Sequence, residues 1–84
     1  MPTREEVRQA VFDAIRSVAP ETDTATLRGD RPLREQVEID SFDFMRMLVF
    51  LHERLGVDVP EGAYGQLATV EATVDYLLGR LTAG

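Results

Sequence analysis

Apolar residues recur at spacings of three and four in three segments of this chain, and that period predicts amphipathic α-helices. The first segment presents Val7, Val11, Ala14, Ile15 and Val18. The second, which follows Asp40, presents Phe44, Met47, Leu48, Leu51 and Leu55. The third, which follows Thr69, presents Val70, Val74, Leu77, Leu78 and Leu81. The pattern therefore predicts an all-α fold with three strong helices.

The ends of the first and last helices are marked by residues that satisfy free backbone groups. Thr3, with Glu6 three residues later, has the form of a capping box. Pro20 should end the first helix, because proline cannot continue the helical hydrogen-bond ladder. Thr69 suits the N-cap of the last helix.

The second helix should begin at Asp40-Ser41 and run to Leu55. Asp40 suits the N-cap, and Asp43 can reach back to it in the manner of a capping box. Gly56 suits the position after the last helical turn.

The connections complete the predicted architecture. Residues 20–39 form a long first loop that Leu27 and Leu33 should anchor to the core, and loops of this length are often functional. Residues 61–66 contain two glycines, each weakening a helix by roughly 1 kcal/mol against alanine, which predicts a short third helix. With no cysteine in 84 residues, one apolar core must hold the chain. We predict a single domain over 1–84, folded as a four-helix up-down bundle.

The charge balance restricts the partners. The formal net charge is −6, which argues against nucleic acid and anionic membranes, and it favours partners with basic patches. The longest apolar run, Met47 to Leu51, is too short to span a bilayer, and the N-terminus lacks the apolar core of a signal peptide. We expect a cytoplasmic monomer that does not insert into membranes.

Ser41 is the candidate functional residue, but it is not predicted to be a catalytic nucleophile. The one histidine, His52, lies eleven residues later, about 16 Å along a helix at 1.5 Å per residue. Lysine is absent, and arginine does not act as a base. His52 also lacks the companions of a metal site. Ser41 is therefore either a helix-start serine without further role or a serine that another protein modifies.

At this point the chain resembles an acyl carrier protein. The resemblance rests on the stretch Glu38-Ile39-Asp40-Ser41-Phe42-Asp43, which is similar to the family's Asp-Ser-Leu signature at the start of its second helix. The segments that end at Val59-Pro60 and begin at Leu67-Ala68-Thr69-Val70 also resemble the family, so the similarity spans essentially the whole chain. It implies that a phosphopantetheinyl transferase moves 4′-phosphopantetheine from coenzyme A to Ser41, flanked by Asp40. The thiol of that group would carry acyl groups as thioesters between enzymes of fatty-acid, polyketide or other lipid-related synthesis.

The second helix carries more apolar surface than one core requires. Beside its core stripe, a second stripe contains Phe42, Met45 and Val49, with Phe50 as a further candidate, and exposed apolar surface usually marks a contact site. A bundle that wraps this helix on most sides would bury the stripe instead. We expect acyl-transferring or condensing enzymes with basic and apolar patches to dock on a surface made of Glu38, Phe42, Asp43, Met45, Arg46 and Val49.

Three departures from the family pattern are present, and the third of them predicts a specialised carrier. Phe42 stands where the family has leucine, and Glu38 stands where it often has glycine. The second helix is also formally neutral, whereas the family's is usually acidic. An acyl chain is expected to enter between this helix and the short third one, lined by Met47, Leu51, Val59, Ala63, Tyr64 and Leu67. Taken singly, each of these residues is better explained as plain core.

Two alternatives stay open beside the acyl carrier. Within the same family, the chain could carry aminoacyl or peptidyl groups. From another class, it could be a helical interaction module that is never modified. An intact mass after incubation with coenzyme A and a transferase separates the modified from the unmodified class.

Overall fold

The computed structural model describes residues 2–83, and it is all-α over that range. Four α-helices are α1 (Arg4–Val18), α2 (Leu33–Gln36), α3 (Ser41–Leu55) and α4 (Val70–Ala83). Two 3₁₀ helices, Thr24–Thr26 and Glu61–Leu67, lie in the connections. The predicted fold class is confirmed, with α3 in the place of the predicted second helix and Glu61–Leu67 in that of the short third helix.

The predicted caps of the first and last helices are confirmed. Thr3 Oγ1 accepts a hydrogen bond from the Glu6 amide (3.2 Å), and Glu6 Oε1 accepts one from the Thr3 amide (2.9 Å). The hydrogen bond from the Thr3 amide, and after it one from the Thr3 side chain, lower the pKa of the Glu6 carboxyl, because they favour its charged form. Thr69 Oγ1 accepts from the Ala72 amide (3.0 Å) at the start of α4. Local sequence therefore sets where these helices begin.

The core lies between α1 and the two other long helices. Val7, Val11 and Ile15 of α1 are completely or almost completely buried, as are Leu51 of α3 and Val74 of α4. α1 packs against both α3 and α4, and α4 also packs against the 3₁₀ helix Glu61–Leu67. The helix faces that pack in the core are therefore the ones that the apolar spacing of the sequence predicts.

The first connection is more ordered than the loop predicted over 20–39. Asp23 Oδ1 accepts from the Ala25 amide (3.0 Å) and starts the 3₁₀ turn. The Gln36 side chain then ties the loop to itself: its Nε2 donates to the Arg28 carbonyl (2.8 Å), and its Oε1 accepts from the Arg28 amide (2.6 Å). Leu33 is buried in the core, as predicted, and its burial favours the single turn of α2.

The third helix differs from its prediction in length and type. It extends to Leu67 as seven residues of 3₁₀ helix rather than a loose turn over 61–66. Ala63 and Leu67 are buried on its inner side, so packing against α4 stabilises a segment that its glycines weaken.

A backbone clasp joins the first connection to the start of α4. The Leu33 amide donates to the Ala68 carbonyl (2.8 Å), and the Glu71 amide donates to the Gly29 carbonyl (3.0 Å). Pro32 and Thr69 form an isolated antiparallel bridge between these hydrogen bonds. The clasp fixes the first connection beside the 3₁₀ helix Glu61–Leu67.

Over residues 2–83, no helix is both long enough and apolar enough to cross a membrane.

Candidate functional site

Ser41 is the first residue of α3, and its side chain is exposed. The cap is made by its neighbours, because Asp40 Oδ1 accepts from the Asp43 amide (2.8 Å) and Asp43 Oδ2 accepts from the Asp40 amide (3.3 Å). The predicted capping box is therefore confirmed. Since Asp40 rather than Ser41 holds the helix start, capping does not account for the serine.

A groove of about 420 Å³ opens beside Ser41, and its lining is mostly apolar. Three parts of the chain form its walls. The first connection contributes Pro32, Leu33, Arg34 and Ile39. Helix α3 contributes Ser41, Phe44 and Met45. The 3₁₀ helix Glu61–Leu67 and the residue after it contribute Tyr64, Gly65, Leu67 and Ala68. The backbone clasp holds the first and third walls together. Ser41 thus stands at the edge of a space that apolar matter can fill.

An aromatic pair spans this groove. The rings of Phe44 and Tyr64 meet edge to face, with centroids 5.5 Å apart and planes at 78°. This arrangement suits the ring quadrupoles. The guanidinium of Arg34 lies over the Phe44 ring, 5.8 Å from its centroid. The groove therefore has apolar walls with one cationic side chain among the lining residues that fall within 2–83.

The six predicted lining residues fall into two groups. Tyr64 and Leu67 line the groove. Met47 and Leu51 instead belong to the central core, where they are 3% and 1% exposed. Ala63 is also buried, and Val59 packs partly buried against the core. For these four the structure favours packing over lining, because helical period alone cannot tell a groove wall from the core next to it.

Sequence reasoning missed several groove residues. Pro32, Arg34 and Ile39 belong to the first connection, where no periodic pattern identifies a facing side. Phe44 was placed in the core stripe of the second helix, but it is half-buried and turned toward Tyr64. The missing information was the clasp, which brings the first connection to the third helix.

The second apolar stripe of α3 is exposed, as one of the two interpretations of the sequence required. Phe42, Met45 and Val49 are 79%, 45% and 57% exposed, whereas Phe50 packs against the core. Arg46 and Glu38 are exposed as well, and Asp43 is half-buried beside the cap. These residues form one apolar surface with charged margins, next to Ser41.

The structure places His52 in α3 near its C-terminal end, eleven residues from Ser41, so a hydrogen bond between them is out of reach. His52 Nδ1 instead lies 3.0 Å from Asp58 Oδ1. At the other end of the helix, the carboxylates of Asp40 and Asp43, which lie close to Ser41 in sequence, are both engaged in the cap. The arrangement suits a hydroxyl that receives a group from another protein rather than one that attacks a substrate unaided.

Comparison with known proteins agrees with this chemistry. The family described as the phosphopantetheine attachment site matches residues 9–77. The acyl carrier protein of Rubrobacter xylanophilus is 30% identical over 79 residues, which cover 90% of this chain and 98% of that protein. The acyl carrier protein of Myxococcus xanthus is 27% identical, over 94% of this chain and 99% of the relative. That of Campylobacter hominis is 29% identical, over 92% and 91%.

Proposed function

The chain belongs to the acyl carrier protein family, whose cofactor is covalently attached 4′-phosphopantetheine, and on that premise we propose that Ser41 is the attachment residue. Proteins of this family are carriers rather than enzymes. The observation that carries the proposal is the exposed Ser41 hydroxyl beside an apolar groove, on a helix that Asp40 and Asp43 already cap.

The residues present fit such a group. A phosphate linked to Ser41 Oγ would lie at the first turn of α3, where the helix dipole favours negative charge. Attachment forms the Ser41 Oγ–phosphorus bond and breaks the phosphoanhydride of coenzyme A, which leaves as 3′,5′-adenosine bisphosphate. The serine proton passes to a base of the transferase, because the neighbouring carboxylates of Asp40 and Asp43 are engaged in the cap. Once attached, the group supplies a thiol that carries acyl groups as thioesters.

The attachment is tested by intact mass. After incubation with coenzyme A and a broad-specificity phosphopantetheinyl transferase, wild-type protein should gain the mass of one phosphopantetheine unit, and Ser41→Ala should gain none. Ser17→Ala is the matched control, because Ser17 is the other serine of the chain and its Oγ donates to the Ala14 carbonyl inside α1. Modification of Ser41→Ala, or none of the wild type, would refute the proposal.

The groove is the proposed place for the acyl chain. Ser41 is an exposed residue of its lining, and Ile39, Phe44 and Leu67 are among the less exposed ones. Burying an acyl chain there removes apolar surface from water, which is worth about 0.8 kcal/mol per methylene. The side chains of Phe44 and Tyr64 would have to part slightly for a chain to pass between them.

The exposed stripe Phe42, Met45 and Val49 is the proposed docking surface for the transferase and for acyl-handling enzymes. Exposed large apolar side chains this close to the attachment residue suit a contact surface. Because α3 is formally neutral, we infer dedicated partners that read apolar contact as much as charge. We also propose the cytoplasm as the compartment.

The docking proposal predicts the effect of a charge placed in the stripe. Val49→Glu should slow acyl transfer to the holo-protein at least tenfold while leaving its unfolding midpoint unchanged, since Val49 is 57% exposed. Ala25→Glu, an exposed change that adds the same charge outside the stripe and the groove, is the control. Equal rates of acyl transfer for both variants would contradict the proposal that the stripe is a docking surface. Efficient use of the wild type by housekeeping fatty-acid enzymes would remove the case for specialised partners.

A further inference from the structure

We propose that Arg34 binds an anionic oxygen group of whatever is attached to Ser41, and this inference rests on the proposed attachment at that residue. The chemical class is a phosphodiester or a carboxylate. The phosphodiester of the attached arm is one source, and a carboxylate at the far end of a dicarboxylic cargo is the other.

Arg34 and Ser41 are brought together by the groove. Both line it, and Arg34 lies over the ring of Phe44, which follows Ser41 by three residues in α3. Residues three apart on a helix are neighbours on one face, with Cβ atoms about 5–6 Å apart. The guanidinium therefore stands over the turn of α3 that carries Ser41, within a side chain's reach of anything attached there.

The guanidinium of Arg34 has its donors available. Four other arginines pair with carboxylates: Arg4 with Asp75, Arg16 and Arg54 with Asp13, and Arg28 with Asp30. Arg34 forms no such ion pair within residues 2–83, although the sequence around it is acidic, and its contact is the Phe44 ring. The Phe44 ring offers no oxygen acceptor, so this contact leaves the N–H groups of the guanidinium free to donate.

The surroundings strengthen such a contact. A guanidinium binds phosphate or carboxylate through two parallel hydrogen bonds, and these gain strength where apolar walls exclude water. Arg34 is exposed, but the groove that it lines also contains the apolar side chains of Pro32, Ile39, Phe44 and Leu67, so an anion bound inside the groove would be partly shielded from water. A carboxylate of the protein itself is absent from the lining residues within 2–83, so the cation is available to a ligand.

The experiment follows the Arg34 Nε–Hε resonance of ¹⁵N-labelled protein in four states. These are the unmodified protein, the protein modified with coenzyme A, and the proteins modified with butyryl- or malonyl-coenzyme A. Arg34→Gln assigns the resonance by its loss. Arg46 is the internal control, because it is an exposed arginine of α3 outside the groove, and Arg46→Gln assigns its signal. The comparison itself uses wild-type protein, so it does not depend on how either variant folds.

The phosphodiester source predicts that the Arg34 resonance moves when coenzyme A modifies the protein, while that of Arg46 stays in place. The ³¹P resonance of the modified protein should then move in Arg34→Gln and not in Arg46→Gln. The carboxylate source predicts instead that the Arg34 resonance moves with the malonyl group and not with the butyryl group.

If the mass shows modification but the Arg34 resonance, like that of Arg46, does not move in any of the four states, the inference is overturned and the attachment is left intact. A protein that gains no mass overturns the attachment and the inference together. The mass and the resonance therefore separate the two failures.

Discussion

At the scale of single residues, Asp13 accepts more side-chain hydrogen bonds than any other carboxylate within residues 2–83. Its Oδ2 accepts from Arg54 (2.8 Å), and its Oδ1 accepts from Arg16 (2.9 Å) and Gln9 (3.0 Å). These hydrogen bonds, with Arg54 the largest, lower the pKa of Asp13 from 3.8 to about 2. Because Arg54 belongs to α3, this side chain ties α1 to the helix that carries Ser41.

Asp13→Asn should lower the free energy of unfolding at pH 7 by about 1 kcal/mol, because both arginines are nearly half exposed and surface ion pairs are weak. The folded pKa is depressed, so this stability is present above pH 3.8 and is lost as the pH falls toward 2. Urea unfolding across this range should show the two proteins converging.

The matched control is Asp30→Asn. Asp30 pairs with Arg28 at 3.3 Å, and both side chains are more than 60% exposed, so little stability should change. A gap between wild type and Asp13→Asn that persists at pH 2 would contradict the assignment of the effect to the Asp13 charge.

At the scale of elements, the start of α3 decides how firmly Ser41 is held. Its first turn is closed by the reciprocal hydrogen bonds of Asp40 and Asp43. Asp40→Ala should reduce stability by about 1 kcal/mol and loosen that turn, whereas Asp40→Asn keeps an acceptor and should lose much less. Hydrogen exchange of the amides of 42–44 measures the loosening. Equal protection in the alanine and asparagine variants would show that the cap is unimportant there.

Features that depend on residues close in sequence could be predicted, whereas features that depend on residues far apart in sequence could not. Both capping boxes join residues three apart, so Thr3 and Asp40 were identified as helix starts from local pattern alone. The exposure of Phe42 could also be anticipated, because it lies off the core stripe. The contact of Arg34 with Phe44 could not, since it depends on a clasp between the first connection and residues near Ala68. The helical turn Leu33–Gln36 was missed because four residues are too few to show a period.

At the scale of the whole molecule, one small core holds three long helices, so each fully buried side chain matters. Leu51 was predicted to line the acyl groove, but it is 1% exposed and lies in the core cluster. Leu51→Ala should therefore lower the free energy of unfolding by about 2–5 kcal/mol, through lost burial and the cavity left behind.

The control for that change is Met45→Ala, which shortens a groove residue that is 45% exposed and should cost far less. Urea unfolding monitored by circular dichroism measures both variants. Near-wild-type stability for Leu51→Ala, combined with altered binding of an acyl chain, would instead return Leu51 to the groove wall.

The two long sides of the groove differ in how their backbones are bonded. α3 is a fifteen-residue α-helix that also builds the core, whereas Glu61–Leu67 is a 3₁₀ helix, whose hydrogen bonds have poorer geometry. At Gly62 and Gly65 a Cβ would meet nothing within 4 Å, and Gly65 is itself a lining residue of the groove, so this flank is loosely filled. A longer acyl chain would thus be accommodated by outward movement of the 3₁₀ helix, without movement of α3. Ser41 would keep its position while the volume of the groove changed. An enzyme that binds the surface around Ser41 would therefore not need to detect the length of the attached acyl chain.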